Sequence, residues 1–128
     1  MKQITRGAAG EWHAARLLRD KGYCILSSNF RCRFGEIDIV AADDEYLVFV
    51  EVKTRSPEAI YRPREAVDRR KQQKLLRAAQ IYYRQTKMDL QPRFDVIEVT
   101  LHKEELLRCE QIDHIIGAFD FDDLLGSI

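Results

Sequence analysis

A chain of 128 residues and 15.0 kDa can build one continuous core without disulfide or metal staples, so a single domain over residues 1–128 is expected. Its 45% hydrophobic and 33% charged residues fit a soluble globular protein, and no apolar run approaches the roughly 20 residues of a membrane span. Basic and acidic residues are equal at 21 each, so overall charge does not announce nucleic acid as a partner.

Residues 7–21 read as a helix stopped by Gly22 at the C′ position. At about 100° per residue, Ala8, Trp12, Ala15, Leu18 and Arg19 share one side, and Glu11 falls inside that arc. Residues 23–30 read as a strand, followed by a basic connection, Arg31-Cys32-Arg33. Two apolar β-runs come next, 35–42 and 46–54, closed into a hairpin by Asp43-Asp44-Glu45. Residues 56–62 form a loop with Pro57 and Pro63 as breakers, and Pro63 suits the first turn of a helix over 64–86. That helix carries a stripe of Val67, Lys71, Leu75, Ala78 and Tyr82, so Lys71 lies on an otherwise apolar face. Residues 94–100 form a further strand and 112–116 a short last one. The order α-β-β-β-α-β-β predicts a mixed α/β fold, a sheet flanked by helices.

Cys24, Cys32 and Cys109 are scattered and odd in number, which argues against structural zinc and for reduced thiols. With no apolar signal-peptide core at the N-terminus, the expected location is cytoplasmic. His13 and His114 carry no partner pattern and read as structural or surface residues, and Trp12, Tyr82 and Tyr83 as core or rim packing.

The hairpin is where the chemistry concentrates. Successive side chains of a strand alternate faces, so Glu51 and Lys53 point the same way as Leu47 and Phe49. An antiparallel hairpin sets Asp38 opposite or diagonal to Glu51, with Cβ atoms roughly 5–8 Å apart. Two carboxylates so close in a mostly apolar sheet repel unless a cation stands between them, and hard ions such as Mg²⁺ favour such carboxylates plus water and phosphate oxygens. Lys53 beside them can orient a water and stabilise developing negative charge. The competing reading of each residue is plain: Asp38 as the solvent-facing residue of a half-buried strand, Glu51 and Lys53 as an exposed salt bridge of about 0–1 kcal/mol. Glu11 could equally lift its carboxylate to water at the edge of its stripe, and Lys71 its ammonium.

Charge is distributed unevenly. From Arg55 to Arg77 the basic residues Arg55, Arg62, Arg64, Arg69, Arg70, Lys71, Lys74 and Arg77 face only Glu58, Glu65 and Asp68, while the end of the chain is acidic. Such a bipolar molecule can turn one positive face to phosphates while staying neutral overall. Arg55, Arg64 and Lys71 are the candidates for holding a phosphate backbone, contacts that position DNA without reading its sequence.

Asp38 followed by Glu51-Val52-Lys53 resembles the Asp…Glu-x-Lys core of the PD-(D/E)XK nuclease superfamily, which includes restriction endonucleases and archaeal Holliday junction resolvases. Ile37, not proline, precedes the aspartate here. From Gly10 to about Phe119 the chain resembles the YraN-like family of small bacterial proteins. The resemblance implies a restriction endonuclease-like fold and a Mg²⁺- or Mn²⁺-dependent endonuclease acting on DNA, including branched DNA. It further implies that Asp38, Glu51 and the backbone carbonyl of Val52 hold the metal, that Lys53 orients the attacking water and that Glu11 is an additional acid. A homodimer would suit cleavage of two strands. The alternative is a non-catalytic nucleic-acid- or protein-binding module on a nuclease fold.

Overall fold

The computed structural model describes residues 4–58 and 67–119. The Thr5 hydroxyl accepts from the Ala8 amide at 3.1 Å and caps helix α1 (Arg6–Asp20). Gly22, at φ +95°, takes the left-handed backbone that lets the chain leave the helix. Strands β1 (Cys24–Cys32), β2 (Gly35–Ala42) and β3 (Tyr46–Arg55) then form an antiparallel meander. The Asp43 carboxylate closes the β2–β3 turn by accepting from the amides of Glu45 and Tyr46 at 2.8 and 2.7 Å. Helix α2 (Arg69–Thr86) lies on the crossover that brings β4 (Gln91–Leu101) parallel to β3, and β5 (Cys109–Phe119) returns antiparallel to β4.

Among the described residues the sheet order is β1-β2-β3-β4-β5, with α2 on one face and α1 on the other. Leu75, Leu76, Ala79 and Tyr82 of α2 pack on Val40, Leu47, Phe49 and Val96. On the other face Ala9, Ala14 and Leu18 of α1 pack on Ile39, Val48, Val50 and Val99. This five-stranded mixed α/β arrangement fits a restriction endonuclease-like fold. No helix among the described residues is long and apolar enough to cross a membrane.

Several boundaries differ from the sequence reading. The Arg31-Cys32-Arg33 segment is not all connection, because Arg31 and Cys32 still pair with Glu36 and Gly35 on β2; on an edge strand outward charges alternate and look like a loop. Helix α2 begins at Arg69, not at residue 64, because Asp68 keeps an extended backbone and its side chain caps the Lys71 amide at 2.8 Å. Residues 59–66, with Arg62, Pro63 and Arg64, lie outside the described residues. β5 runs for eleven residues rather than five because it pairs along β4 as far as Leu101.

The buried side of α1 is also rotated from the expected arc. Ala9, Gly10, His13, Ala14 and Leu18 face the sheet, while Trp12 is 47% exposed. Close approach decides this: a Cβ on Gly10 would stand 2.1 Å from Thr54 Oγ1 on β3, so the small residues, not the largest apolar one, mark the contact. Glu11 then sits half-buried beside the crossing point, at the end of β3 that carries Glu51 and Lys53.

Candidate metal centre and basic cleft

The β2–β3 ladder ends at Ile39 and Val50. One step further Asp38 stands opposite Glu51, and there the backbone bonds are replaced: the Val52 amide donates to Asp38 Oδ2 at 2.8 Å. On the other side of β2, Asn29 falls between the pairs Ser28–Ile39 and Phe30–Ile37, hence against Asp38. Asn29 adopts φ +57°, which asparagine tolerates better than most residues, and its amide donates to Glu11 Oε2 at 3.2 Å. A fork in the sheet thus draws together acids from two elements, α1 and β2. Oxygens of Glu11 (α1), Glu36 and Asp38 (β2) lie within 4.8 Å of one another, close enough to share one cation.

Glu51 borders the same site. It is only 8% exposed, and with Glu36, Asp38 and Asp68 it lines a cleft of about 560 Å³ whose far wall is Arg70, Lys71, Lys74 and Leu75 of α2. Lys71 Nζ reaches Glu51 Oε1 at 2.7 Å. Lys71 therefore places its ammonium on a buried carboxylate of the candidate centre while its side chain stays about half exposed.

The electrostatics are those of a site short of positive charge. Burial lifts the Asp38 carboxyl to about 7; the Val52 amide opposes this, and Glu51, Glu11 and Glu36 push further upward. Glu11 is raised too, first by burial and then by Glu36 and Glu51, against the Asn29 amide. The Lys71 ammonium is held above its usual range by its hydrogen bond to Glu51, against the cost of burial. A divalent cation would relieve the acids and compete with Lys71 for Glu51.

Lys53 is half-buried two residues beyond Glu51 and, by strand alternation, on the same face; its register partner on β4 is Glu98. Lys53 is not among the residues that line the cleft. Arg55 was expected at the phosphate backbone, but its guanidinium lies 3.3 Å from buried Glu98 and its side chain is only 18% exposed. That ion pair ties β3 to β4 and leaves the Arg55 side chain largely covered. Arg64 lies outside the described residues. Sequence reasoning missed Glu36 and Asn29 as members of the cluster. Glu36 shares the β2 face of Asp38, which was a usable signal, whereas the left-handed backbone of Asn29 left none.

A second buried network joins β4 to β5. Fully buried Asp95 accepts from Arg93 at 2.9 and 2.8 Å, from His114 Nε2 at 2.7 Å and from the Gly117 amide at 3.0 Å. Lys21 Nζ donates to His114 Nδ1 at 2.8 Å, which leaves the ring proton on Nε2. His114 thus joins β5 to β4, and His13 holds the Leu106 carbonyl at 2.8 Å; both are structural.

A model of the uncharacterised protein family UPF0102 matches residues 10–99. The chain is 46% identical over 123 residues to a UPF0102 protein of Caldanaerobacter subterraneus subsp. tengcongensis, covering 93% of this chain and all of that one. It is likewise 46% identical to one of Moorella thermoacetica, over 93% of this chain and 98% of the other. A third, from Syntrophotalea carbinolica, is 45% identical over 94% and 96%. With a fold, a forked acidic cluster and matches of this length in hand, the chain belongs to the uncharacterised protein family UPF0102, the YraN family.

Proposed function

We propose that this protein is a divalent-metal-dependent endonuclease acting on DNA. The observation that carries the reading is the fork at Asp38: three carboxylates within 4.8 Å, a fourth, Glu51, bordering them on the same wall of the cleft, and an aspartate whose proton is held up to about 7. A set of hard oxygen donors with buried, mutually repelling charge fits Mg²⁺ or Mn²⁺. Asp38 and Glu51 would hold the ion, with Glu11 and Glu36 around it. An extended residue directs its N–H and C=O to the same side, so the Val52 carbonyl would be available as a further ligand beside Asp38, whose carboxylate accepts from the Val52 amide. Such an ion supplies Lewis-acid polarisation of a phosphodiester and a nucleophile at neutral pH.

The chain's own side chains do the rest. Glu11, held by Asn29, is poised to accept a proton from the attacking water. Lys53, next on the Glu51 face of β3 but outside the lining of the cleft, would have to turn toward it to orient that water and offset charge developing on the phosphate. Lys71, now on Glu51 at 2.7 Å, would be the cation free to turn to a phosphate oxygen if a metal ion were held by that carboxylate. Because these interactions are with backbone phosphates, cleavage would follow DNA shape, including branched DNA, more than base sequence.

The Lys71–Glu51 ion pair at 2.7 Å also supports a second reading, a DNA- or protein-binding module whose acid site is closed by its own lysine. Incubating labelled duplex, single-stranded and four-way-junction DNA with Mg²⁺ or Mn²⁺ separates the two. Hydrolysis abolished in Glu51→Gln and Lys53→Ala, with binding retained, supports the enzyme. Binding without hydrolysis by the wild type on every substrate supports the module.

A further inference from the structure

Beside the acidic cleft lies a second one that it does not need for metal chemistry. Arg33, Phe34, Arg70, Gln73, Lys74 and Arg77 line about 340 Å³, and no acid lines it. Phe34, Arg70 and Lys74 border both clefts, so the two are continuous. Arg70, Lys74 and Arg77 follow one another at i, i+4 and i+7, one row on α2 about 10 Å long at 1.5 Å per residue. Arg33 comes from the other side, from the tight turn between β1 and β2. The Phe34 ring holds two of these cations in place: Arg33 Cζ lies 4.8 Å and Arg77 Cζ 5.4 Å from its centroid.

Four cations around one small cleft repel each other. Two other basic groups near the site are already matched, Lys71 by Glu51 and Arg31 by Glu36 at 3.5 Å. Arg33, Arg70, Lys74 and Arg77 have no carboxylate within 4 Å among the described residues. What such a pocket lacks is an anion with several oxygens, and planar guanidinium groups suit phosphate.

We infer that Arg33, Arg70, Lys74 and Arg77, organised around Phe34, form a phosphate-binding subsite that holds the nucleic-acid backbone next to the acidic centre. The inference rests on the proposed nuclease reading for the identity of the ligand and adds where the strand runs. A row of about 10 Å spans roughly three nucleotide steps at 3.4 Å each, so the strand leaves the acidic fork along α2 toward Arg77. Phe34 is a positioning residue that keeps Arg33 and Arg77 pointed into one cleft despite their like charge.

The test is fluorescence anisotropy with labelled duplex and single-stranded DNA in EDTA, over about 50–200 mM salt. Each of Arg33→Gln, Lys74→Gln and Arg77→Gln should flatten the log–log salt slope by about 0.9 on duplex or 0.7 on single strand. Affinity at 50 mM salt should fall roughly tenfold for each cation neutralised, the size of one counterion-release term. Arg84→Gln, in the last turn of α2 and outside both clefts, should bind as the wild type does. Phe34→Ala should weaken binding while Phe34→Tyr preserves it. The subsite is overturned if Lys74→Gln/Arg77→Gln binds with wild-type affinity and slope, or if the wild type binds neither DNA. Cleavage in Mn²⁺, measured in parallel, keeps the two readings apart. A double variant that binds and cuts normally removes the subsite alone; pocket-dependent binding by a wild type that never cuts removes the nuclease alone.

Discussion

Asparagine at position 38 should stabilise the metal-free protein. Asp38→Asn keeps the volume and the acceptor for the Val52 amide at 2.8 Å but removes a charge that burial, Glu51, Glu11 and Glu36 all oppose. The carboxyl ionises near 3.8 when unfolded and at about 7 when folded. Between those values the native carboxyl keeps a proton that the unfolded chain has released, so stability falls as pH rises, and the decline is complete above about 7. A rise from 3.8 to about 7 is at most ~4 kcal/mol, and solvent screening of a half-buried group brings it to ~2 kcal/mol. For a chain of this size that is roughly 6–10 °C in melting temperature. Thermal melts followed by circular dichroism in EDTA, at intervals from pH 4 to pH 8, give the comparison. The variant's advantage should be greatest at pH 8 and shrink toward zero near pH 4. A variant that melts at or below the wild type at pH 8 would mean that ionised Asp38 is well compensated in the fold and has no need of a cation.

Three further outcomes follow from other parts of the molecule. Gly10→Ala should cost about 1–3 kcal/mol, as overpacking does, because its methyl would meet Thr54 Oγ1 at 2.1 Å; adding Thr54→Ala should restore much of it in denaturant melts. Lys71→Ala should strengthen Mn²⁺ binding in calorimetry, since it removes the ammonium 2.7 Å from Glu51, and should weaken DNA binding with a salt slope flatter by about 0.9. Asp95 resists the upward push of burial because His114, Arg93 and the Gly117 amide hold its carboxyl below the ordinary value. Its stabilisation is present above about pH 4 and disappears as pH falls below it, so Asp95→Asn should be destabilised by about 3–5 kcal/mol at pH 7, with the gap narrowing in acid melts.

The hairpin was readable because its two acids break an otherwise strict apolar pattern, and a period of two leaves only one way for Glu51 and Lys53 to face. Lys71 was readable for the same reason at helical spacing. The face of α1 was not, since helical periodicity ranks Trp12 above glycine and alanine, while the contact with Thr54 is set by how near the backbones must come. The ion pair of Arg55 was not legible, because its partner, Glu98, lies 43 residues further on and reaches it through the parallel pairing of β3 with β4. Asn29 depends on a single left-handed backbone angle, which no spacing rule signals. The grouping of Arg33 with Arg77 likewise requires the β1–β2 turn to fold over α2, a contact that local sequence does not encode.

Isothermal titration of Mn²⁺ into the wild type and Asp38→Ala tests the acidic fork most directly. Wild-type protein should bind the ion at pH 8 and, when titrated near pH 7, should release about half a proton per ion, because Asp38 is half-protonated there. Asp38→Ala should show no comparable binding at either pH. Equal heats from the two proteins, or none from either, would mean that Glu11, Glu36, Asp38 and Glu51 are an acid cluster held by the fold and not a metal centre.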